Sequence, residues 1–121
     1  MFGKLAILFC AATLAVGLVA RSSRLTAGEL ALRMAEVADL VVVDVRNPGE
    51  VEATGTIEGA LQIPLARLTT ELTRLDSSHP TVVYCAGGYR SAIAASTLRA
   101  AGFSDVSDLL GGYQAWAARA T

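Results

Sequence analysis

The chain has 121 residues, 53% of them hydrophobic, and its ten Lys and Arg nearly balance its eleven Asp and Glu, for a net charge of -1. This length allows one domain with its own core, and the scattered arginines form no basic cluster of the kind that binds nucleic acids. With one histidine and two cysteines, the sequence holds no cluster at metal-ligand spacing, so it predicts no metal and no cofactor. Cys10 and Cys85 lie in such different contexts that a disulfide framework is not expected.

The N-terminal part is compositionally separate from the rest. Leu5–Ala20 runs for 16 residues without a charge, and at about 1.5 Å per residue it is slightly shorter than the ~30 Å membrane core. A core helix is the alternative, but the run is apolar on all faces. We therefore expect a signal peptide or a short transmembrane anchor over 1–21 and a folded domain over 22–121. Export or membrane anchoring, with an extracytoplasmic domain, is the expected location, although Lys4 and Arg21 leave the orientation undecided. Membrane fractionation of the chain tests this expectation.

The domain is predicted to begin with a helix and a buried strand. Thr26–Glu29 has the form of a capping box, and apolar residues follow at helical spacing, which predicts a helix from about Ala27 to Val37. Leu40–Val45 is an uninterrupted apolar run, typical of a parallel strand buried on both faces. Asn47–Gly49 is predicted to end this strand as a turn.

The remaining segments continue to alternate between strand and helix patterns. The predicted elements are a strand at Leu61–Ile63, a helix through Leu65, Leu68, Leu72 and Leu75, a strand at Thr81–Tyr84, a helix at Ser91–Ala101, a strand at Val106–Leu109 and a helix at Gly112–Arg119. This alternation predicts an α/β domain with a mainly parallel sheet and helices on both faces. In such sheets, ligands bind beyond the carboxyl ends of the strands.

A cysteine followed by a glycine-rich loop is the most informative feature of the domain. Cys85 follows a buried strand and precedes a helix, so loop N–H groups and the helix dipole favour its thiolate. Glycines let the loop curl around an anion, and Arg90 adds a forked cation. The candidate site is Cys85 as catalytic nucleophile, with Ala86, Gly87, Gly88, Tyr89 and Arg90 as the substrate-binding loop. The structural alternatives are a small buried Cys85, a surface ion pair for Arg90 and a solvated Tyr89.

The spacing Cys85-x-x-Gly88-x-Arg90-Ser91 resembles the active-site loop of the rhodanese family of sulfurtransferases. Three further stretches resemble rhodanese motifs in the same order, and the resemblance as a whole spans roughly Leu25 to Arg119. They are Leu40–Arg46 with Pro48 and Glu50, Gly55–Ala60 with Ile63 and Pro64, and Leu110–Trp116. The sequence departs from the family pattern at Thr56, where a histidine is usual, and this change concerns local packing.

The resemblance implies a single-domain enzyme that carries sulfur as a cysteine persulfide. Cys85 would take the outer sulfur of a donor such as thiosulfate and pass it to cyanide or a thiol, which includes the thiol of a protein. Arg90 would help to hold the oxyanion end of the donor. The family comparison gives Asp44 and Arg46 a structural role, so they are not expected in catalysis.

Two other functions remain open from the sequence. A cysteine phosphatase or arsenate reductase also uses a Cys…Arg loop, but related phosphatases have one residue more between the two than the four found here. A membrane-tethered binding module would keep the fold for partner recognition alone, although the intact Cys85 and Arg90 count against it.

Overall fold

Five strands and four α-helices alternate along residues 24–119, the part of the chain that the computed structural model describes. The strands are β1 (Arg24–Leu25), β2 (Val41–Asp44), β3 (Leu61–Gln62), β4 (Thr81–Tyr84) and β5 (Val106–Leu109). The helices are α1 (Ala27–Glu36), α2 (Pro48–Thr54), α3 (Tyr89–Ala100) and α4 (Gly112–Arg119), with short 3₁₀-helices at Leu65–Arg67 and Leu72–Arg74. All strand pairs are parallel, in the order β1-β5-β4-β2-β3. The predicted α/β class and parallel sheet are confirmed.

The two central strands place a hydrophobic core on each face of the sheet. Successive side chains of a strand point to opposite faces, so Val82 packs with Leu30 of α1, whereas Val83 packs with Leu98 of α3. The prediction of helices on both faces is therefore confirmed. In the register of β2 and β4, Asp44 lies opposite Tyr84. Cys85, the next residue, therefore emerges at the carboxyl edge of the sheet, as parallel topology requires.

Two local predictions were wrong. The leucine stripe forms two 3₁₀-helices, because each leucine pair is spaced by three residues, which fits a 3₁₀ turn, and the poor helix formers Thr69 and Thr70 lie between the pairs. The expected turn at Asn47–Gly49 is instead the start of α2. Pro48 occupies the first helical turn, where its missing N–H costs nothing, and Asn47 N–H donates to Glu50 at 2.9 Å.

The predicted signal peptide or anchor over 1–21 lies outside the described residues. Within residues 24–119, no helix is long and apolar enough to cross a membrane.

Candidate active site

The sulfur of Cys85 receives backbone hydrogen bonds from the loop that follows it. The N–H of Gly88 lies 3.1 Å from Sγ, and the N–H of Ser91, in the first turn of α3, lies 3.4 Å from it. Gly88 caps α3 with a φ of 118°, a value that side-chain-bearing residues rarely adopt. Gly87 has no positive φ, so only the second glycine of the loop is required by backbone geometry. The chain thus curls so that two donors converge on one atom.

These contacts favour the thiolate form of a buried cysteine. Burial of Cys85, which is 1% exposed, raises the pKa of its thiol, because a charge is poorly solvated there. Hydrogen bonds from the backbone and hydroxyl of Ser91 and from the N–H groups of Gly88 and Gly87 together outweigh burial, so the net pKa is lowered. A cysteine thiol with a lowered pKa, placed at the carboxyl end of a strand, has the properties of a reactive cysteine.

The Ser91 hydroxyl can form a hydrogen bond with Cys85 in either protonation state of the thiol. Its Oγ lies 3.7 Å from Sγ and donates to the carbonyl of Gly88 at 3.1 Å. In the thiol state, Cys85 donates its proton to Oγ. A hydroxyl has one proton to donate, so stabilisation of the thiolate requires that proton to turn from the Gly88 carbonyl to the sulfur.

The start of α4 holds the cysteine loop in place through backbone hydrogen bonds. Tyr113 N–H donates to the carbonyl of Cys85 at 2.7 Å, and Gln114 N–H donates to that of Ala86 at 3.2 Å. Gly112 permits this approach, because a Cβ at that position would lie 2.5 Å from the carbonyl oxygen of Cys85 and would also collide with Ala86. The final glycine-rich motif therefore supports the cysteine loop.

Arg90 is engaged by a carboxylate of α2. Its Nη1 and Nη2 donate to Oε2 and Oε1 of Glu50, both at 2.7 Å, which is a bidentate ion pair. The Arg90 bonds, together with the N–H of Asn47, lower the pKa of Glu50 to about 2. The hydrogen bonds that Arg90 donates to Glu50 raise the pKa of Arg90, and the negative charge of the Cys85 thiolate raises it further. Arg90 thus interacts chiefly with Glu50 and, more weakly, with the Cys85 thiolate.

Asp44 and Arg46 form a buried ion pair at the carboxyl end of β2, close to the cysteine loop. Arg46 is 2% exposed and donates to Asp44 at 2.7 Å, to the Thr54 hydroxyl and to the Gly55 carbonyl. Its guanidinium also lies 4.4 Å from the ring centre of Tyr113. The contacts with Thr54, Gly55 and Tyr113 join the end of β2 to α2 and α4, as expected of a structural role.

Thr56 completes a hydrogen-bonded cluster at the position where the family pattern has histidine. Its hydroxyl lies 2.6 Å from the hydroxyl of Tyr84 and donates to Asp44 at 3.1 Å. Burial raises the pKa of Tyr84 to about 12, so its hydroxyl stays protonated. The threonine therefore satisfies the buried polar atoms of this turn.

A cavity of about 250 Å³ opens beside the loop. It is lined by Arg46, Glu50, Ala53, Thr54, Ala86, Tyr113 and Gln114. Tyr89 does not line it and is 81% exposed at the start of α3. Residues 24–119 contain no group of three or more His, Cys, Asp or Glu arranged to hold a metal ion.

Of the predicted site residues, the structure brings Cys85, Gly87, Gly88 and Arg90 together, while Ala86 faces the cavity and Tyr89 faces solvent. Ser91, Glu50 and Gly112 also contribute to the site, although the sequence predicted no site role for them. All three residues belong to the stretches that resemble rhodanese motifs. The sequence therefore marked these positions, but it did not show which atoms they contact.

This loop and the domain around it match a known protein family. The family model of the rhodanese-like domain matches residues 26–119. The chain belongs to the rhodanese-like family. Among curated rhodanese relatives, a protein named sulfurtransferase from Allochromatium vinosum is 36% identical over 88 residues, covering 73% of this chain and 81% of that protein. A protein named thiosulfate sulfurtransferase from Coxiella burnetii is 35% identical over 80 residues, covering 66% of this chain and 74% of that protein.

Solved structures give the same fold. A rhodanese-related protein from Thermoplasma volcanium superposes with a TM-score of 0.71 at 30% identity, covering 79% of this rhodanese-like chain and 91% of its own. A protein from Rhodopseudomonas palustris, described as of unknown function and a possible tyrosine phosphatase, gives a TM-score of 0.72 at 32% identity and covers 81% of each chain.

Proposed function

We propose that the chain is a rhodanese-type sulfurtransferase that moves sulfane sulfur from a donor such as thiosulfate to cyanide or a thiol through a persulfide on Cys85. The observation that carries this proposal is the convergence of the Gly88 and Ser91 N–H groups on the Cys85 sulfur. The family match and the two sulfurtransferase-named relatives support the reaction class.

The reaction takes place in two displacements at sulfur. The Cys85 thiolate attacks the outer sulfur of thiosulfate, the S–S bond breaks, and sulfite leaves with the electron pair. The loop N–H groups then hold the anionic terminal sulfur of the persulfide. Cyanide or a thiolate attacks that sulfur and leaves as thiocyanate or as a new persulfide, which returns the Cys85 thiolate. No proton must be delivered to a leaving amine, so no partner histidine is needed.

The phosphatase alternative rests on the shared Cys…Arg loop and on the description of the Rhodopseudomonas palustris protein. Four residues separate Cys85 from Arg90, a shorter loop than that of related phosphatases. A shorter loop encloses less space beside the cysteine, which favours a site for one sulfur atom over a site for a tetrahedral phosphate.

Mass spectrometry of the purified full chain with thiosulfate tests the proposal. We expect the native chain to gain the mass of one sulfur atom and to form thiocyanate from cyanide. Cys85→Ser should lose both properties, whereas Cys10→Ser, the matched change at the second cysteine, should keep them. Sulfur transfer by Cys85→Ser would contradict the mechanism. Hydrolysis of an aryl phosphate by the native chain, lost in Cys85→Ser, would favour the phosphatase instead.

A further inference from the structure

The two arginines close to the cysteine loop each have a carboxylate partner. Both terminal nitrogens of Arg90 contact Glu50 at 2.7 Å, and Arg46 contacts Asp44 at the same distance. Each pair sums to zero formal charge. The cation that would attract an oxyanion to the loop is therefore cancelled by a side chain of α2, a separate element 40 residues earlier in the chain.

Glu50 also lies beside the cysteine loop. It lines the cavity beside the loop together with Ala86, the residue that follows Cys85. The same Glu50 carboxylate is paired with Arg90, so an anion near the loop experiences the two opposite charges close together, and attraction and repulsion largely offset each other. For a dianion such as thiosulfate, the offset is twice as large as for a monoanion.

We infer that Glu50 is a specificity-determining residue, which cancels the charge of Arg90 and thereby prevents the site from selecting multiply charged donors over singly charged or neutral ones. The inference rests on the proposed function and adds a donor class to it, namely organic persulfides, with thiosulfate accepted but not favoured by charge. With such a donor, the Cys85 thiolate attacks the terminal sulfur of R–S–SH and the S–S bond breaks. R–S⁻ leaves with the electron pair, and the proton stays on the new Cys85 persulfide.

Glu50→Gln removes the charge and leaves the local structure in place. Glutamine is as suitable as glutamate at the third position of a capping box, so it can still accept from the N–H of Asn47. Its amide oxygen can still accept one hydrogen bond from Arg90. The matched control is Glu52→Gln, the same change at an exposed glutamate of the same helix. Comparison of the two separates the local charge from the net charge of the protein.

Alkylation of Cys85 with iodoacetate and with iodoacetamide measures the effect directly. The two reagents attack the same thiolate and differ by one negative charge, so the ratio of their rate constants cancels any change in the fraction of thiolate. For charges about 6 Å apart in water, one added positive charge should raise the ratio about threefold in Glu50→Gln. The KM for thiosulfate, a dianion, should fall about tenfold. Glu52→Gln should leave both values close to those of the native chain.

An alkylation ratio in Glu50→Gln equal to that of the native chain, or matched by Glu52→Gln, would overturn the inference. A raised ratio with an unchanged KM for thiosulfate would also overturn it, because the charge would then not act on donors. If the ratio rises while no variant forms a persulfide from thiosulfate or from an organic persulfide, Glu50 controls anion access and the proposed function fails instead.

Discussion

Gly112→Ala should weaken the fold at the point where α4 supports the cysteine loop. Gly112 has a φ of 61°, and an added Cβ would lie 2.5 Å from the carbonyl oxygen of Cys85. That oxygen is backbone, so it cannot rotate away as a side chain would. It also accepts the N–H of Tyr113 at 2.7 Å, a bond that would have to lengthen as the two segments separate.

The expected loss of stability has two parts. Forcing alanine into the left-handed region costs about 1–2 kcal/mol, and inserting a carbon into packed space costs about 1–3 kcal/mol. The free energy of unfolding should therefore fall by roughly 2–5 kcal/mol in Gly112→Ala. Gly59→Ala is the matched control. Gly59 has a φ of 83°, and a Cβ added there would have no heavy atom within 4 Å, so only the backbone cost applies.

Urea unfolding of the full chain measures both losses. We expect Gly112→Ala to lose about 1–3 kcal/mol more than Gly59→Ala. It should also alkylate more slowly at neutral pH, because displacement of the Cys85 carbonyl disturbs the donors around the sulfur. Equal losses of stability in the two variants would refute the reasoning, since the close approach of α4 to the loop would then carry no cost.

Two further predictions concern buried polar groups. Ser91→Ala removes the hydroxyl that helps to lower the pKa of Cys85, so the midpoint of its alkylation rate against pH should move to higher pH; an unmoved midpoint would assign the effect to the backbone N–H groups alone. Asp44→Asn leaves the Arg46 charge buried without its partner and should cost about 3–5 kcal/mol in urea unfolding. Burial raises the pKa of the Asp44 carboxyl, but its hydrogen bonds with Arg46 lower that pKa by more, so the folded pKa lies below that of an unfolded aspartate. The pair therefore stabilises the fold above the unfolded pKa of aspartate and loses its contribution as the pH falls through the folded pKa. Asp44→Asn should lack this acid-dependent loss, and a loss of stability below about 1 kcal/mol would contradict the prediction.

Local sequence patterns were sufficient for the fold class and for the position of the loop. An uninterrupted apolar run such as Val41–Val43 is required wherever a strand is covered on both faces, so it identifies a central parallel strand without any knowledge of its neighbours. The capping box at Thr26 and the order of strands and helices are also local features. The place of Cys85 at the carboxyl edge of the sheet then follows from topology.

Where one local pattern is compatible with two structures, the sequence alone did not show which of them forms. Leucines spaced by three and four residues fit an α-helix and also a pair of 3₁₀ turns, and the outcome depends on what the segment packs against. Asn-Pro-Gly fits both a turn and a helix start. It became a helix start because Glu50 returns to cap Asn47, a choice that also places the Glu50 carboxylate beside the loop.

The chemical groups of the site can be identified from sequence: a cysteine after a buried strand, a glycine that allows a left-handed cap, and an arginine at the start of a helix. What those groups face depends on the tertiary structure. Glu50 reaches Arg90 across 40 residues, and Gly112 reaches the Cys85 carbonyl from the last helix. Such contacts join segments that are distant in sequence, so they cannot be predicted from the spacing of neighbouring residues. The charge and the rigidity of the cysteine loop are therefore properties of the folded chain.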